Sequence, residues 1–333
     1  MSKGEILLLG DINIDTVWPV SEFPVPGRDG LVKTLTVEIG GAVVNSAIIL
    51  DNLDQKVALL GSTGSDLWAE YAMRELAQTK INLIHLKLKS NSTTGLTFII
   101  DTPDGERTMF SNRGANTQLE ARDIEEDAFK NASILHISGY ALLESPQKDA
   151  VWRAVELATK NNVKICLDTG LEPVIQKPKE LRRLLPLLSI CISGLQEAEV
   201  LLNCDSPEEA ADALVSMGIQ LAAIKLGKNG CLLADGKQQC LFPAFPVKAV
   251  DSTGAGDSFT AGLLFSWMRG LSLPAAATLA NALGALATMV YGAGCALPQR
   301  NRVLEFLHSM QKHTAANAFH KNLKEVIKVL EVG

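Results

Sequence analysis

The stretch that decides the reading is DSTGAGDSFTAG at residues 251–262, which sets a Gly-Ala-Gly turn and a carboxylate at the start of a helical pattern. In the FTAGLLFSWMRGL that follows, Phe259, Leu263, Leu264 and Trp267 recur at helical spacing and predict one buried face. Gly254, Ala255 and Gly256 then lie at the helix N-terminus. Unpaired N–H groups and the positive end of the helix dipole attract an anion there, and glycine lets the backbone approach it closely. On charge alone, Asp257 would oppose a bound phosphate. It makes sense as a base that takes the proton from a hydroxyl attacking a phosphoryl group. Taken in isolation, the same residues also read as a tight turn in which Asp257 and Ser258 complement the helix end.

The 333 residues, 47% of them hydrophobic, can bury a large core, and an α/β chain of this size can form one domain. The formal charge of -6 argues against broad binding to nucleic acid or to an anionic membrane. EILLLG begins almost at once, without the charged and apolar regions of a signal peptide, and AAATLANALGALATMVYGAG reads as an Ala-rich core helix rather than a span. The six cysteines (166, 191, 204, 231, 240 and 295) form no CxxC pair and read as small buried hydrophobes, consistent with reduced thiols in the cytoplasm. The five histidines have no metal-ligand spacing, and His136 reads as a packed strand residue.

Buried-strand runs (EILLLG, VALLG, SILHIS, VKICLD, LSICIS, LAAIKLG) alternate with helical patterns (AVVNSAIILDNL, SDLWAEYAMREL, DAVWRAVELATKN, SPEEAADALVSM), which predicts a largely parallel sheet covered on both faces. Around 12–40 and 93–112 the texture changes. TVWPV, LVKTLTVEI, GLTFIID and ERTMFS are β-rich without intervening helices and predict a small added sheet. A helical LKEVIKVLEV pattern closes the chain. There is no GxxxxGK[ST] loop and no strand followed by GxGxxG, so a nucleotide must be held in another way.

Residues 251–262 together with GGAVVNSA at 40–47 resemble the two signatures of the ribokinase-like, or PfkB, family of carbohydrate and nucleoside kinases. The likeness continues through GDINID (10–15), PDGERT (103–108), RGAN (113–116), LESP (143–146), EAE (197–199) and KLGKNG (225–230). It implies a ribokinase-like three-layer α/β sandwich over residues 1–310, with the 12–40 and 93–112 segments forming a β-sheet lid and dimer contact; the 311–333 segment has little likeness to the family, and its helical pattern predicts a C-terminal helical extension that either packs back on the domain or is partly loose. It also implies an ATP-dependent kinase acting on a hydroxyl of a small neutral sugar. Asp257 is then the base, and the Gly254, Ala255 and Gly256 amides stabilise the transferring charge. Lys225, Gly227, Lys228, Gly230, Gly256 and Asn281 face the nucleotide. Glu197, with Glu199 nearby, organises Mg2+ through water. Asp251, Thr253, Gly292 and Ala296 form a site for K+.

The sugar end is assigned to Asn13 and Asp15, polar residues after the C-terminal end of the first strand, with Gly40, Gly41, Asn45 and Glu144. Read alone, the first of these also form an Asx turn and a helix cap. Two departures from the family pattern bear on the acceptor and on the nucleotide contacts, respectively. Ala42 stands where ribokinase-type sequences often carry lysine, and Gly194 stands at an asparagine position. Ala42 in place of a lysine removes a candidate cation, and this together with a DTGLEP segment without arginine disfavours phosphorylated or carboxylated sugars, although Arg107 and Arg113 remain available to such a group. Trp18 and Phe23 near the lid keep a nucleoside kinase open as the alternative. A catalytically retired binding protein is the alternative from another class, which the retained Asp257 and complete turn oppose.

Overall fold

Short β-branched and aliphatic runs form the strands of this chain, described here by a computed structural model over residues 4–102, 107–312 and 320–332. The strands are β1 (Glu5–Leu9), β2 (Asn13–Pro19), β3 (Thr36–Gly40), β4 (Val57–Thr63), β5 (Leu86–Leu88), β6 (Gly95–Asp101), β7 (Arg107–Asn112), β8 (Ala132–Ser138), β9 (Lys164–Asp168), β10 (Ile190–Gly194), β11 (Leu221–Lys225), β12 (Cys231–Ala234) and β13 (Gln239–Phe242). Nine of them make one sheet in the order β13-β12-β11-β10-β9-β8-β1-β4-β5. It is parallel from β5 to β11, and β12 and β13 add an antiparallel edge.

Side-chain alternation divides the core into two layers. Ile6 and Leu8 of β1 join a cluster with the helices Ala42–Asn52, Ala255–Arg269 and Leu273–Ala287, while Leu7 and Leu9 face the helices Gln147–Lys160 and Leu195–Leu202 on the other side. The result is the expected three-layer sandwich. The helix His320–Val332 is not a loose tail: Leu323, Val326, Ile327 and Leu330 are buried in the first of these clusters. No helix among the described residues is long and apolar enough to cross a membrane.

The expected second sheet is present, in the order β3-β2-β6-β7, with β2 and β6 parallel and the outer pairs antiparallel. The LVKTLTVEI run extends into it only from Thr36 onward. Leu31 and Leu35 are 88% and 50% exposed, with no strand beside them to pair or bury them. Residues 103–106 of the PDGERT motif and 313–319 of the C-terminal segment lie outside the described residues. The cysteines are only partly as expected. Cys166, Cys191 and Cys231 are buried, Cys204 and Cys240 are half-buried, and Cys295 is exposed on the loop after the Ala-rich helix. His136 is buried on β8 with its Nδ1 3.4 Å from the Cys166 Sγ, and burial lowers its pKa to about 3.

Candidate active site

The Gly-Ala-Gly turn opens the helix Ala255–Arg269 as the spacing predicts. Gly254 supplies the left-handed conformation (φ 71°, ψ 0°) that turns the chain into it, and no side chain caps this helix end. The Ala255 N–H is turned toward the Ser252 carbonyl at 3.3 Å, so the three amides are not equally free to receive an anion.

Asp257 lies half-buried in the first turn of that helix. Its Oδ2 accepts a 2.7 Å hydrogen bond from the Asn45 Nδ2, and its backbone carbonyl accepts one from Ser46 at 3.0 Å. Burial pushes its carboxyl up to about 6, against the pull of the Asn45 hydrogen bond. The Asp168 charge adds to the rise and Lys225 opposes it.

Lys225 ends β11, and its Nζ lies 2.9 Å from both oxygens of Asp168, at the end of β9. Thr260 donates to the same carboxylate at 2.7 Å. Burial alone would lower the lysine pKa, but the Asp168 charge overrides it and the pKa is raised, keeping a fixed cation beside the anion-binding turn. A Cβ at Gly256 would lie 3.7 Å from this ammonium. Asp168 was missed as a functional candidate. The available signal was an acid at the C-terminal end of a buried parallel strand, where α/β proteins meet ligands.

A second unanticipated arrangement centres on the loop after the Ala-rich helix. Three consecutive amides serve three different elements. Gly292 N–H donates to the Asp251 Oδ2 (2.8 Å), Ala293 N–H to the Glu38 Oε2 on the lid strand β3 (2.6 Å), and Gly294 N–H to the Asn45 Oδ1 (3.1 Å). Asn45 thus bridges this loop and Asp257. The Asp251 Oδ1 accepts from both the amide and the hydroxyl of Thr253, at 2.6 and 2.8 Å. The structure therefore brings Asp251, Thr253 and Gly292 together, while Ala296 sits exposed at the end of the same loop. Among the described residues no group of three or more His, Cys, Asp or Glu side chains is arranged to hold a metal.

A cavity of about 440 Å³ opens beside the turn. It is lined by Lys225, Gly227, Lys228, Gly230, Gly256 and Asn281, the residues assigned above to the nucleotide, and walled by Phe245, Val247, Phe259 and Ala285. The Asn281 amide is already committed, donating to the Pro243 carbonyl at 3.1 Å. Glu197 turns back on its own helix, and its Oε2 accepts from Gly194 N–H (2.8 Å) and the Thr169 hydroxyl (2.6 Å). Gly194 thus serves as a cap whose amide fixes the acid.

At the other end, Asn116 ties the first loop together. Its Nδ2 donates to the Asn13 Oδ1 at 2.8 Å, and its Oδ1 accepts from Ile12 N–H at 2.8 Å. Asp15 is buried on β2, packed so closely against Gly40 that any Cβ there would collide with its carboxylate. Gly41 precedes the helix bearing Asn45. Glu144 stands apart: its side chain is 55% exposed and pairs with Arg113 at 3.2 Å. Trp18 packs against Phe98 (ring centroids 6.1 Å apart) and donates its indole N–H to Thr16.

An uncapped helix end beside a cavity, a fixed lysine and a carboxylate of raised pKa, all on a ribokinase-like sandwich, define a phosphotransferase that acts on an alcohol group. The chain belongs to the pfkB family of carbohydrate kinases, whose pattern matches residues 3–300. It is 28% identical over 308 residues to the ribokinase of Haemophilus influenzae, covering 91% of this chain and 98% of that one. It is also 28% identical to the probable fructokinase-3 of Arabidopsis thaliana, with 96% of each chain covered. Among solved structures, a putative ribokinase II from E. coli in complex with ATP and Mg2+ superposes with a TM-score of 0.84 at 22% identity, over 93% of this chain and all of the other.

Proposed function

We propose that this kinase transfers the γ-phosphoryl group of ATP to a hydroxyl of a small neutral sugar, with Asp257 as the base. The observation that carries the reading is the Asp257 carboxylate. It sits at an uncapped helix N-terminus, its pKa is pushed up to about 6, and Asn45 orients it. An acid near this pKa is mostly ionised at neutral pH yet basic enough to take a hydroxyl proton as the oxygen attacks. Lys225 and the Gly254–Gly256 turn hold the phosphates, and the apolar walls around Phe245 and Val247 receive the base of the nucleotide. Mg2+ accompanying the nucleotide neutralises charge on its phosphate oxygens. Glu197, fixed by the Gly194 N–H and the Thr169 hydroxyl, would accept from water bound to that ion.

The K+ role assigned to Asp251, Thr253, Gly292 and Ala296 is structural. Bound there, K+ would brace the 292–296 loop, whose amides Asp251, Glu38 and Asn45 already hold, without entering the chemistry. Asn13, Asp15, Gly40, Gly41 and Asn45 hold the acceptor hydroxyls, and the β3-β2-β6-β7 sheet covers them and excludes water. The exposed Phe98, Met109 and Phe110 on that sheet support pairing of two copies through the lid. Six free thiols and the use of ATP accord with the cytoplasm.

The test is ATP consumption with neutral sugars, sugar acids and nucleosides, with and without Mg2+ and K+. Turnover confined to a neutral sugar and dependent on Mg2+ is expected. Turnover confined to a purine nucleoside transfers the same base and turn to a nucleoside kinase, and Mg2+-independent turnover overturns the phosphoryl-transfer chemistry.

A further inference from the structure

Of the two arginines that the sequence offers to a charged acceptor, Arg107 has a side chain outside those described, and Arg113 is held by four side-chain hydrogen bonds. Its Nε lies 2.7 Å from the Asp11 Oδ2 and its Nη2 lies 2.9 Å from the Asp11 Oδ1, a two-point clamp. Buried Gln147 completes the clamp, donating to the Asp11 Oδ1 at 2.8 Å and accepting from the Arg113 Nη2. Glu144 takes the Nη1 at 3.2 Å. Asp11 is 7% exposed and the Arg113 side chain 14%, so the pair is built into the wall and is not a solvated contact.

This cluster borders the acceptor end. Asp11 is two residues before Asn13, and Arg113 immediately precedes the turn Gly114–Gln118, whose Asn116 bonds Asn13. Arg113 and Glu144 also line an open polar cavity with Ser111 and Asn112. Two carboxylates against one guanidinium leave a net charge of about -1 at this wall.

We infer that Asp11 sets the charge class of the acceptor: by holding Arg113 it makes the enzyme reject sugar acids and sugar phosphates and accept uncharged polyols. The inference rests on the sugar-kinase reading above. An anionic acceptor must compete with two carboxylates for one guanidinium, and it adds a third negative charge. A like charge a few ångströms away at a partly buried site costs on the order of tenfold to a hundredfold in affinity. The cost disappears when the holding carboxylate becomes an amide of the same shape.

The experiment measures kcat/KM for the best neutral sugar and for the sugar acid of the same carbon number, using wild type, Asp11→Asn, Glu144→Gln and the double variant. The acid-to-neutral ratio is expected to rise about tenfold in Asp11→Asn, about threefold in Glu144→Gln, and most in the double variant. If Asp11→Asn does not fold, the exposed Glu144→Gln decides. An unchanged ratio in the folded variants overturns the assignment, as does a wild type that uses the acid as well as the neutral sugar. The first outcome leaves the neutral-sugar reading standing; the second leaves a sugar kinase but removes its restriction to neutral sugars. A wild type that turns over only nucleosides overturns the sugar reading and this assignment with it.

Discussion

The two ends of the cleft are built on opposite principles. The nucleotide end is a cavity with apolar walls, glycines on its rim, an exposed Lys228, and an Asn281 whose amide is already bound to a backbone carbonyl. The end proposed for the acceptor is a set of polar side chains bonded to one another: Asn116 to Asn13, Arg113 and Gln147 to Asp11, and Asn45 to Asp257. A nucleotide common to many kinases needs a slot and a fixed cation. An acceptor that must be told from its relatives needs oriented donors and acceptors, because an unpaired buried polar group discriminates more sharply than a missing apolar contact. Substitutions at the two ends should therefore differ in kind: loss of turnover or selectivity at the acceptor end, and shallow changes at the nucleotide end.

The largest break is expected where the two ends meet. Asp257→Asn preserves shape and removes the base, so kcat should fall by roughly two to four orders of magnitude while nucleotide binding persists. In the wild type, kcat/KM should drop as pH falls below about 6, as the carboxylate is protonated, and the variant should lose that limb. Stability moves the other way. The folded pKa lies above the unfolded value of 3.8, so the native state binds more protons between about 4 and 6, and stability declines as pH rises through that window. Above it, the ionised acid remains a cost. Asp257→Asn should therefore unfold at a higher temperature than wild type at pH 7. A variant of normal turnover would remove Asp257 from the chemistry, and one that is inactive but less stable would remove the buried-charge account.

Next in size is Asp15→Ala. Losing a buried acid proposed to hold the acceptor hydroxyls should reduce kcat/KM for the sugar by about a hundredfold or more and leave the KM for ATP within about threefold. A loss of ATP binding with sugar binding intact would reverse the two ends.

How much of this was legible in the sequence follows the same division. The sandwich could be read because its strands are continuous apolar runs separated by helical periodicity, and the anion-binding turn because glycines and an acid are crowded into one local stretch. The polar network could not. Asp11, Glu38, Asn116, Gln147 and Asp168 acquire their roles from partners far along the chain: Glu38 and Ala293 are 255 positions apart, and Asp168 and Lys225 are 57. Only Asp168, at the end of a buried strand run, carries a local signal; nothing local distinguishes the others from surface polar groups. The β-rich LVKTLTVEI run joins the small sheet only from Thr36 onward for a related reason, since β-propensity does not reveal where the neighbouring strand stops.

Glu38 should give a smaller effect that sharpens the comparison, because it joins the lid to the loop behind the catalytic turn. Glu38→Gln keeps an acceptor but replaces a charge-assisted hydrogen bond with a neutral one of roughly half the strength. Slackening Ala293 should loosen Gly294 and, through Asn45, the orientation of Asp257. The expected result is a threefold to tenfold lower kcat with little change in KM for ATP, and partial recovery in Glu38→Asp. An unchanged kcat with a raised KM for the sugar would make Glu38 part of the lid alone.

The smallest effect on catalysis is expected at Asn281, although it lines the nucleotide cavity. Its Nδ2 reaches the Pro243 carbonyl at 3.1 Å, and the side chain is only 6% exposed, so its amide fastens the segment after β13 to the Ala-rich helix. Asn281→Ala leaves that carbonyl without its donor, which should lower stability by about 1–3 kcal/mol. The wall it supports is mostly apolar and keeps Phe245, Val247 and Ala285, so the KM for ATP should change by less than about threefold. Thermal unfolding and ATP titration of the same variant separate the two effects. If the KM for ATP instead rises more than tenfold with stability unchanged, the amide reads the nucleotide directly, and the nucleotide end is as specifically built as the acceptor end.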